Sequence, residues 1–382
     1  MRSQYIVYVY ILFSLLILIF QYSIKYFGYT FFSGVFVNDA QSYWGHLNDV
    51  YINGIESGNY FTLIGVIYLY LPAVIFGPIY CYLINSLLIS FSFHFFLKCI
   101  KSINPLFDAH VFLIFILFIS NIYILELLFS PNKEIPLIFL TNCFIYYFVF
   151  VRNNFLSFAL ILIAFFFRDG YSLMLFFSAL IILVFRTYIL NKSWNFLFYS
   201  CFVMMFLSVK ALSSYGLLGD YGYILDRNIE LESDLKFAAN FPYFIQFLIN
   251  LFNNAIGYSI RNQLFDSSYR LFLYGLGLWH FSVIFLIFIV SWIRTYKNYL
   301  NENLTLITFI IFFNLLMLSS SSFPQPRYMM PFFFWLIFIS VLKFRFANIL
   351  LFFCVLFMIS VVFIFSGYSF ELADGIDFDL NF

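Results

Sequence analysis

The stretch HVFLIFILFISNIYILELLFSPNKEIPLIFLTNCFIYYFVFV, residues 110–151, decides the fold. It holds two apolar runs, about 110–129 and 135–151, joined by the turn Ser130-Pro131-Asn132-Lys133-Glu134. A helix needs ~20 mainly apolar residues to cross hydrocarbon, and these runs approach that length. Keeping an ionisable pair such as Lys133–Glu134 at a membrane boundary is costly, so the turn marks a functional site by default.

The pattern extends along the chain. Further apolar runs lie at roughly 5–22, 79–98, 155–167, 173–185, 196–213, 271–293, 304–320, 331–343 and 348–366. Several are shorter than ~20 residues, so flanking residues must complete them. The chain is 64% hydrophobic and 10% charged, with 61 Phe and 30 Tyr. A soluble domain has ~45–50% apolar residues, so the sequence predicts an all-α, polytopic integral membrane protein, one domain over 1–382. The first run follows Met1-Arg2-Ser3-Gln4 and has no small-residue cleavage site behind it, which predicts a retained first span. A net charge of +1, with cations scattered among apolar runs, gives no nucleic-acid signature.

Segment 61–77 decides the topology, because counting it as a span reverses every later loop. If it does not cross, Arg2, Lys98, Lys101, Arg152, Arg186, Lys192, Arg294, Lys297, Lys343 and Arg345 share the cytoplasmic side with the N-terminus. Only Asp108 and Glu302 oppose them there. The expectation is therefore about 11 transmembrane helices (10–12), with 61–77 an outer re-entrant or interfacial helix ended by Gly77-Pro78. The outer face then holds a first loop at about 23–78, the turns at 130–134 and 168–172, and a large late loop at about 214–270. A short segment at 319–330 completes it, and the acidic C-terminus lies outside.

Candidate chemistry gathers on that face. Asp39, in Val37-Asn38-Asp39-Ala40-Gln41-Ser42-Tyr43-Trp44, suits a general base taking a proton from a sugar hydroxyl, with aromatic rings beside it to stack on sugars. The competing reading is a solvated loop with an interfacial aromatic belt. Lys133 offers a point charge to phosphate, and Glu134 would orient Lys133 or a substrate hydroxyl. The plain alternative is a boundary ion pair snorkelling into headgroups, with Glu134 favoured by the helix dipole. Arg168, in Phe167-Arg168-Asp169-Gly170, fits bidentate diphosphate binding or headgroup anchoring. In Ser322-Phe323-Pro324-Gln325-Pro326-Arg327-Tyr328-Met329-Met330-Pro331, prolines stiffen the backbone that places Arg327 and Tyr328 at the mouth of a span. Asp49, Glu56, Arg261 and Arg270 read as surface charges, and His94, His110 and His280 as structural. No zinc-ligand spacing, P-loop or dinucleotide fingerprint occurs in the sequence, so no metal and no cofactor is expected.

Together these pieces resemble the GT-C superfamily of multi-span glycosyltransferases that use polyprenyl-linked sugars. The resemblance rests on Asp39 after the first span, Phe76-Gly77 before the second, Ser130 to Lys133-Glu134, Arg168, and the late Arg327-Tyr328-Met329-Met330-Pro331. It covers most of 1–190 and the 320–340 stretch. The paired acids of protein mannosyltransferases and the WWD motif of oligosaccharyltransferases are absent from the sequence. Size, composition and the late outer loop also look like O-antigen repeat-unit polymerases.

The resemblance implies glycosyl transfer at the periplasmic face of a bacterial inner membrane, in surface-polysaccharide (lipopolysaccharide or capsule) assembly. The implied partners are an undecaprenyl-linked glycan donor, a glycan acceptor, membrane lipids and a chain-length regulator. Asp39 would be the base, and Lys133, Glu134, Arg168, Arg327 and Tyr328 would hold phosphate and glycan. One alternative is a monosaccharide transferase using a polyprenyl-phosphate sugar. Another is a flippase for lipid-linked sugars, which should show inverted repeats and polar groups at mid-membrane.

Overall fold

The computed structural model describes residues 38–54, 63–103, 127–190, 301–319 and 326–341, with isolated positions between 111 and 124 and between 281 and 289. At 38–41 and 326–327 the description is of the backbone. The expected spans at 5–22, 196–213 and 348–366 and the late loop at 214–270 lie outside the described residues.

Every element among the described residues is helical, without a strand. In chain order they are α1 (Asn38–Asn53), α2 (Ile64–Tyr70), α3 (Ala73–Phe76), α4 (Pro78–Ile103), α5 (Glu134–Ile145), α6 (Asn154–Phe165), α7 (Asp169–Leu190), α8 (Glu302–Ser319) and α9 (Phe333–Val341). A π-helical turn, Tyr146–Val151, prolongs α5, and a 3-10 helix, Pro326–Phe332, leads into α9. Among the described residues, three helices are long and apolar enough to cross a membrane: Pro78–Ile103, Glu134–Val151 and Asp169–Leu190. At ~1.5 Å per residue even the shortest of these, 18 residues, nears the ~30 Å of hydrocarbon.

Two expectations change here. The first outer segment is not simply a loop, because Asn38–Asn53 is a helix. Its Tyr43, Leu47 and Val50 recur at four- and three-residue spacing and are buried against Val66, Ile67 and Tyr70 of α2. The run at 173–185 belongs to a longer helix, Asp169–Leu190, whose backbone leaves helical geometry at Phe185 (φ −113, ψ 21). Segment 61–77 contains no continuous spanning helix. It holds α2 and α3, of seven and four residues, broken at Leu71-Pro72 and ended at Gly77 with φ 65.

Helices consecutive in the chain pack together, α4 on α5, α5 on α6 and α6 on α7, while α7 packs on the distant α8. The 3-10 helix at Pro326–Phe332 leans on α5 and α8. Phe334 of α9 sits at the centre, with the ring of Phe118 stacked 3.9 Å away and those of Phe96 and Phe93 at 5.2 and 5.5 Å. Lipid supplies no hydrophobic drive between helices, so close packing and interhelical hydrogen bonds do the holding. Asn142 Nδ2 donates to Ser92 Oγ at 2.8 Å, Thr141 Oγ1 and Tyr171 Oη share a hydrogen at 2.7 Å, and Ser172 Oγ donates to the Ile161 carbonyl at 2.7 Å. Facing outward are large apolar side chains such as Leu83, Phe91, Leu162, Phe177 and Val184. Only 33% of the apolar window of α7 is buried, an arrangement water penalises and lipid accepts.

Among the described residues, Lys98, Arg152 and Arg186 lie at one end of this bundle. Arg152 and Glu302 meet at 4.0 Å, and both lie close enough to Arg186 to act on it electrostatically. Lys98 Nζ stands 5.5 Å from the ring centre of Tyr146, just before that end of α5. The turns at 130–133 and 166–168 and the 3-10 helix stand at the opposite end.

Candidate functional site

The turn before α5 is built by asparagines. Asn132 Oδ1 accepts from the Ile135 amide at 2.9 Å, while its Nδ2 donates to the carbonyls of Leu127 and Ser130, both at 2.9 Å. Asn85, fully buried on α4, donates to the carbonyls of Leu127, Leu128 and Ser130 at 2.9, 3.1 and 3.1 Å. Tyr70 Oη in turn donates to Asn85 Oδ1. Burial holds the Tyr70 phenol well above its ordinary pKa, so it stays a donor. Three elements thus lock the Lys133–Glu134 turn through side-chain amides, and none of those amides was singled out from the sequence.

Locked in this way, the two charged residues diverge. Glu134 is 4% exposed. Its Oε2 accepts from the Lys133 backbone N–H at 3.2 Å, and its Oε1 is buried with no hydrogen-bond partner among the described residues. A buried carboxylate oxygen left without a donor costs on the order of 1–3 kcal/mol or more, offset in part by the place of Glu134 in the first turn of α5, where the helix dipole favours an acid. The snorkelling alternative fails for Glu134, whereas Lys133 is half-buried with Nζ 5.7 Å from the ring centre of Tyr43. Tyr43 lies one turn after Asp39 on α1, so the helix that carries Asp39 is seated on this turn.

The second charged turn is held by α2. The Gly65 amide donates to the Phe166 carbonyl at 2.9 Å, and a Cβ at Gly65 would stand 2.8 Å from that oxygen. Glycine is required there by the closeness of two backbones. Phe167 also packs on the α1–α2 cluster. Immediately after it, the guanidinium carbon of Arg168 lies 3.8 Å from the ring centre of Tyr328, within cation–π range. The rings of Tyr171 and Phe332 meet at 6.1 Å beneath, and the 3-10 helix reaches across to α5. Asp169 Oδ1 accepts from the Gly170 amide at 2.7 Å and so caps its own helix rather than pairing with Arg168.

Of the residues proposed from sequence, Lys133, Glu134, Arg168 and Tyr328 are gathered at one end of the bundle. Asp39 falls in the first turn of α1 and Arg327 in the 3-10 helix beside Tyr328; their side chains lie outside the described residues. Sequence reasoning missed Tyr43, Gly65, Tyr70, Asn85 and Asn132. An asparagine in the middle of an apolar run is itself a signal, since burying an amide is tolerated only when it is bonded. No group of three or more His, Cys, Asp or Glu able to hold a metal occurs among the described residues. What the arrangement offers is positive charge for an anion from Lys133 and Arg168, each set over an aromatic ring, and a buried acceptor in Glu134 Oε1. No family model matches the chain, and neither a curated protein nor a solved structure shows detectable similarity to it.

Proposed function

We propose that the protein transfers sugars from a polyprenyl-linked donor, acting in surface-polysaccharide assembly and joining repeat units into a polymer. In this reading the chain has about 11 spans and a GT-C-like course, with its N-terminus cytoplasmic and its C-terminus periplasmic in a bacterial inner membrane. The end carrying Lys133, Glu134, Arg168 and Tyr328 then faces the periplasm. The observation that carries the reading is the Arg168 guanidinium laid on Tyr328, at the same end as Lys133 and Glu134. A flat, always-charged donor held by a ring is preorganised for a diphosphate.

The chemistry assigns each residue a task. An acceptor hydroxyl attacks the anomeric carbon of the donor sugar, the bond from that carbon to the diphosphate oxygen breaks, and the leaving oxygen keeps the electron pair. Asp39 takes the hydroxyl proton as general base. Lys133, Arg168 and Arg327 neutralise the departing phosphate, while Tyr328 fixes the plane of Arg168. Glu134 receives a substrate hydroxyl on its vacant oxygen.

The glycan profile of a strain lacking the gene tests the proposal. Glycans of a single repeat, normally attached, are the expected result. A truncated repeat would reassign the protein as a monosaccharide transferase, and an unchanged profile would overturn the proposal. Complementation with Asp39→Asn or Arg327→Ala at normal protein levels should fail, and full glycan output from both would dismiss the assigned site.

A further inference from the structure

The opposite end of the bundle carries two backbone irregularities, each beside an arginine. Arg152 has φ 60 and is the one non-glycine residue with positive φ among the described residues. It ends the π-helical turn Tyr146–Val151 in a left-handed conformation, in which a side chain with a Cβ is disfavoured. The one interior break in the helical geometry of α7 falls at Phe185, immediately before Arg186. Both arginines lie near one carboxylate, that of Glu302, with Arg152 Nη2 4.0 Å from Glu302 Oε2.

That carboxylate does not satisfy the group. Two guanidinium charges face one acid, leaving net positive charge, and Arg186 Nη2 is buried with no hydrogen-bond partner among the described residues. Arg152 and Glu302 stay open, their side chains 62% and 66% exposed. On the same helices Phe155, Val184 and Tyr188 are 82%, 68% and 60% exposed, alternating with the exposed polar Asn154 and Thr187. Cations at the ends of helices that are long enough to cross a bilayer and expose large apolar side chains suit a ligand with an anionic head and hydrocarbon tails. Backbone strain of order 1–3 kcal/mol tends to persist where it serves a task, and here it falls at Arg152.

We propose that Arg152, Arg186 and Glu302 form a binding site for the phosphodiester headgroup of an anionic phospholipid, at the end of the bundle opposite Arg168. Arg152 and Arg186 donate to the phosphate oxygens, and Arg186 Nη2 gains the partner it lacks. Phe155, Val184 and Tyr188 meet the acyl chains. Glu302 competes with the phosphate for Arg152 and so sets the affinity.

Native mass spectrometry of the whole protein, released from nanodiscs containing phosphatidylglycerol and phosphatidylcholine, tests this. The wild type should retain phosphatidylglycerol in preference to phosphatidylcholine. At about 1 kcal/mol per cation, the Arg152→Gln/Arg186→Gln double variant should lose affinity about 30-fold. Glu302→Gln should retain the anionic lipid more strongly than wild type, a gain of function that misfolding would not produce. Lys101→Gln, at the same end of the bundle, should leave retention unchanged. Equal retention of the two lipids overturns the site, as does an equal loss from Lys101→Gln. If inorganic phosphate alone displaces the lipid at equal concentration, the site is one for free phosphate and the lipid assignment is wrong.

Discussion

Arg168 and Tyr328 meet at 3.8 Å, joining the turn before α7 to the 3-10 helix before α9. The contact depends on the ring face and on the guanidinium charge. Such a pair contributes about 0.5–1 kcal/mol when exposed and about 2 kcal/mol when desolvated. Tyr328→Phe should therefore keep the contact with Arg168 and glycan output, while Tyr328→Ala should lose output. A double-mutant cycle on thermal stability with Arg168→Ala and Tyr328→Ala should give a coupling of about 0.5–2 kcal/mol. A coupling of zero would leave Arg168 positioned by something other than the ring.

Glu134 separates a structural role from a functional one. Glu134→Gln keeps the shape and removes a buried charge, so the melting temperature should stay level or rise. Glycan output should nonetheless collapse in this variant. Normal output from a stable Glu134→Gln protein would show that the vacant oxygen is a tolerated defect.

Gly65→Ala tests how α2 is docked. The new Cβ would press on the Phe166 carbonyl at 2.8 Å, and backbone has little room to give. Overpacking of this kind costs about 1–3 kcal/mol. The expected phenotype is reduced stability together with reduced output, because the displaced segment runs directly into Arg168. Wild-type stability would mean that α2 is free to move off the turn.

Asn85→Ala removes the donor that three carbonyls share. Leaving buried acceptors unmet costs about 1–3 kcal/mol, so a drop in melting temperature should accompany faster proteolysis near residues 127–133. Asn85→Asp should be no better, since a carboxylate cannot donate to carbonyls at all. A stable Asn85→Ala protein would imply that Asn132 alone holds the turn.

The sequence announced the helices because lipid demands long apolar runs, and it named Lys133, Glu134, Arg168 and Tyr328 because charge and proline are conspicuous among such runs. It did not show that Arg168 lies on Tyr328, since their contact depends on helix order in space rather than on spacing along the chain. Helix α1 stayed hidden for another reason. Tyr43, Leu47 and Val50 are a thin apolar stripe among polar neighbours, and only burial against α2 reveals them as a face. Asn85 and Gly65 were overlooked because each is a single small or polar residue whose purpose is a distant backbone carbonyl.

The central claim is that the end bearing Arg168 and Glu134 acts on a lipid-linked glycan. The most direct test reconstitutes the purified protein in liposomes with a polyprenyl-diphosphate-linked repeat unit and measures release of polyprenyl diphosphate. The wild type should release it as longer glycan forms, and Arg168→Ala and Glu134→Gln should release almost none at matched protein levels. Equal release by wild type and both variants, or none by the wild type with its own strain's repeat unit, would contradict the account.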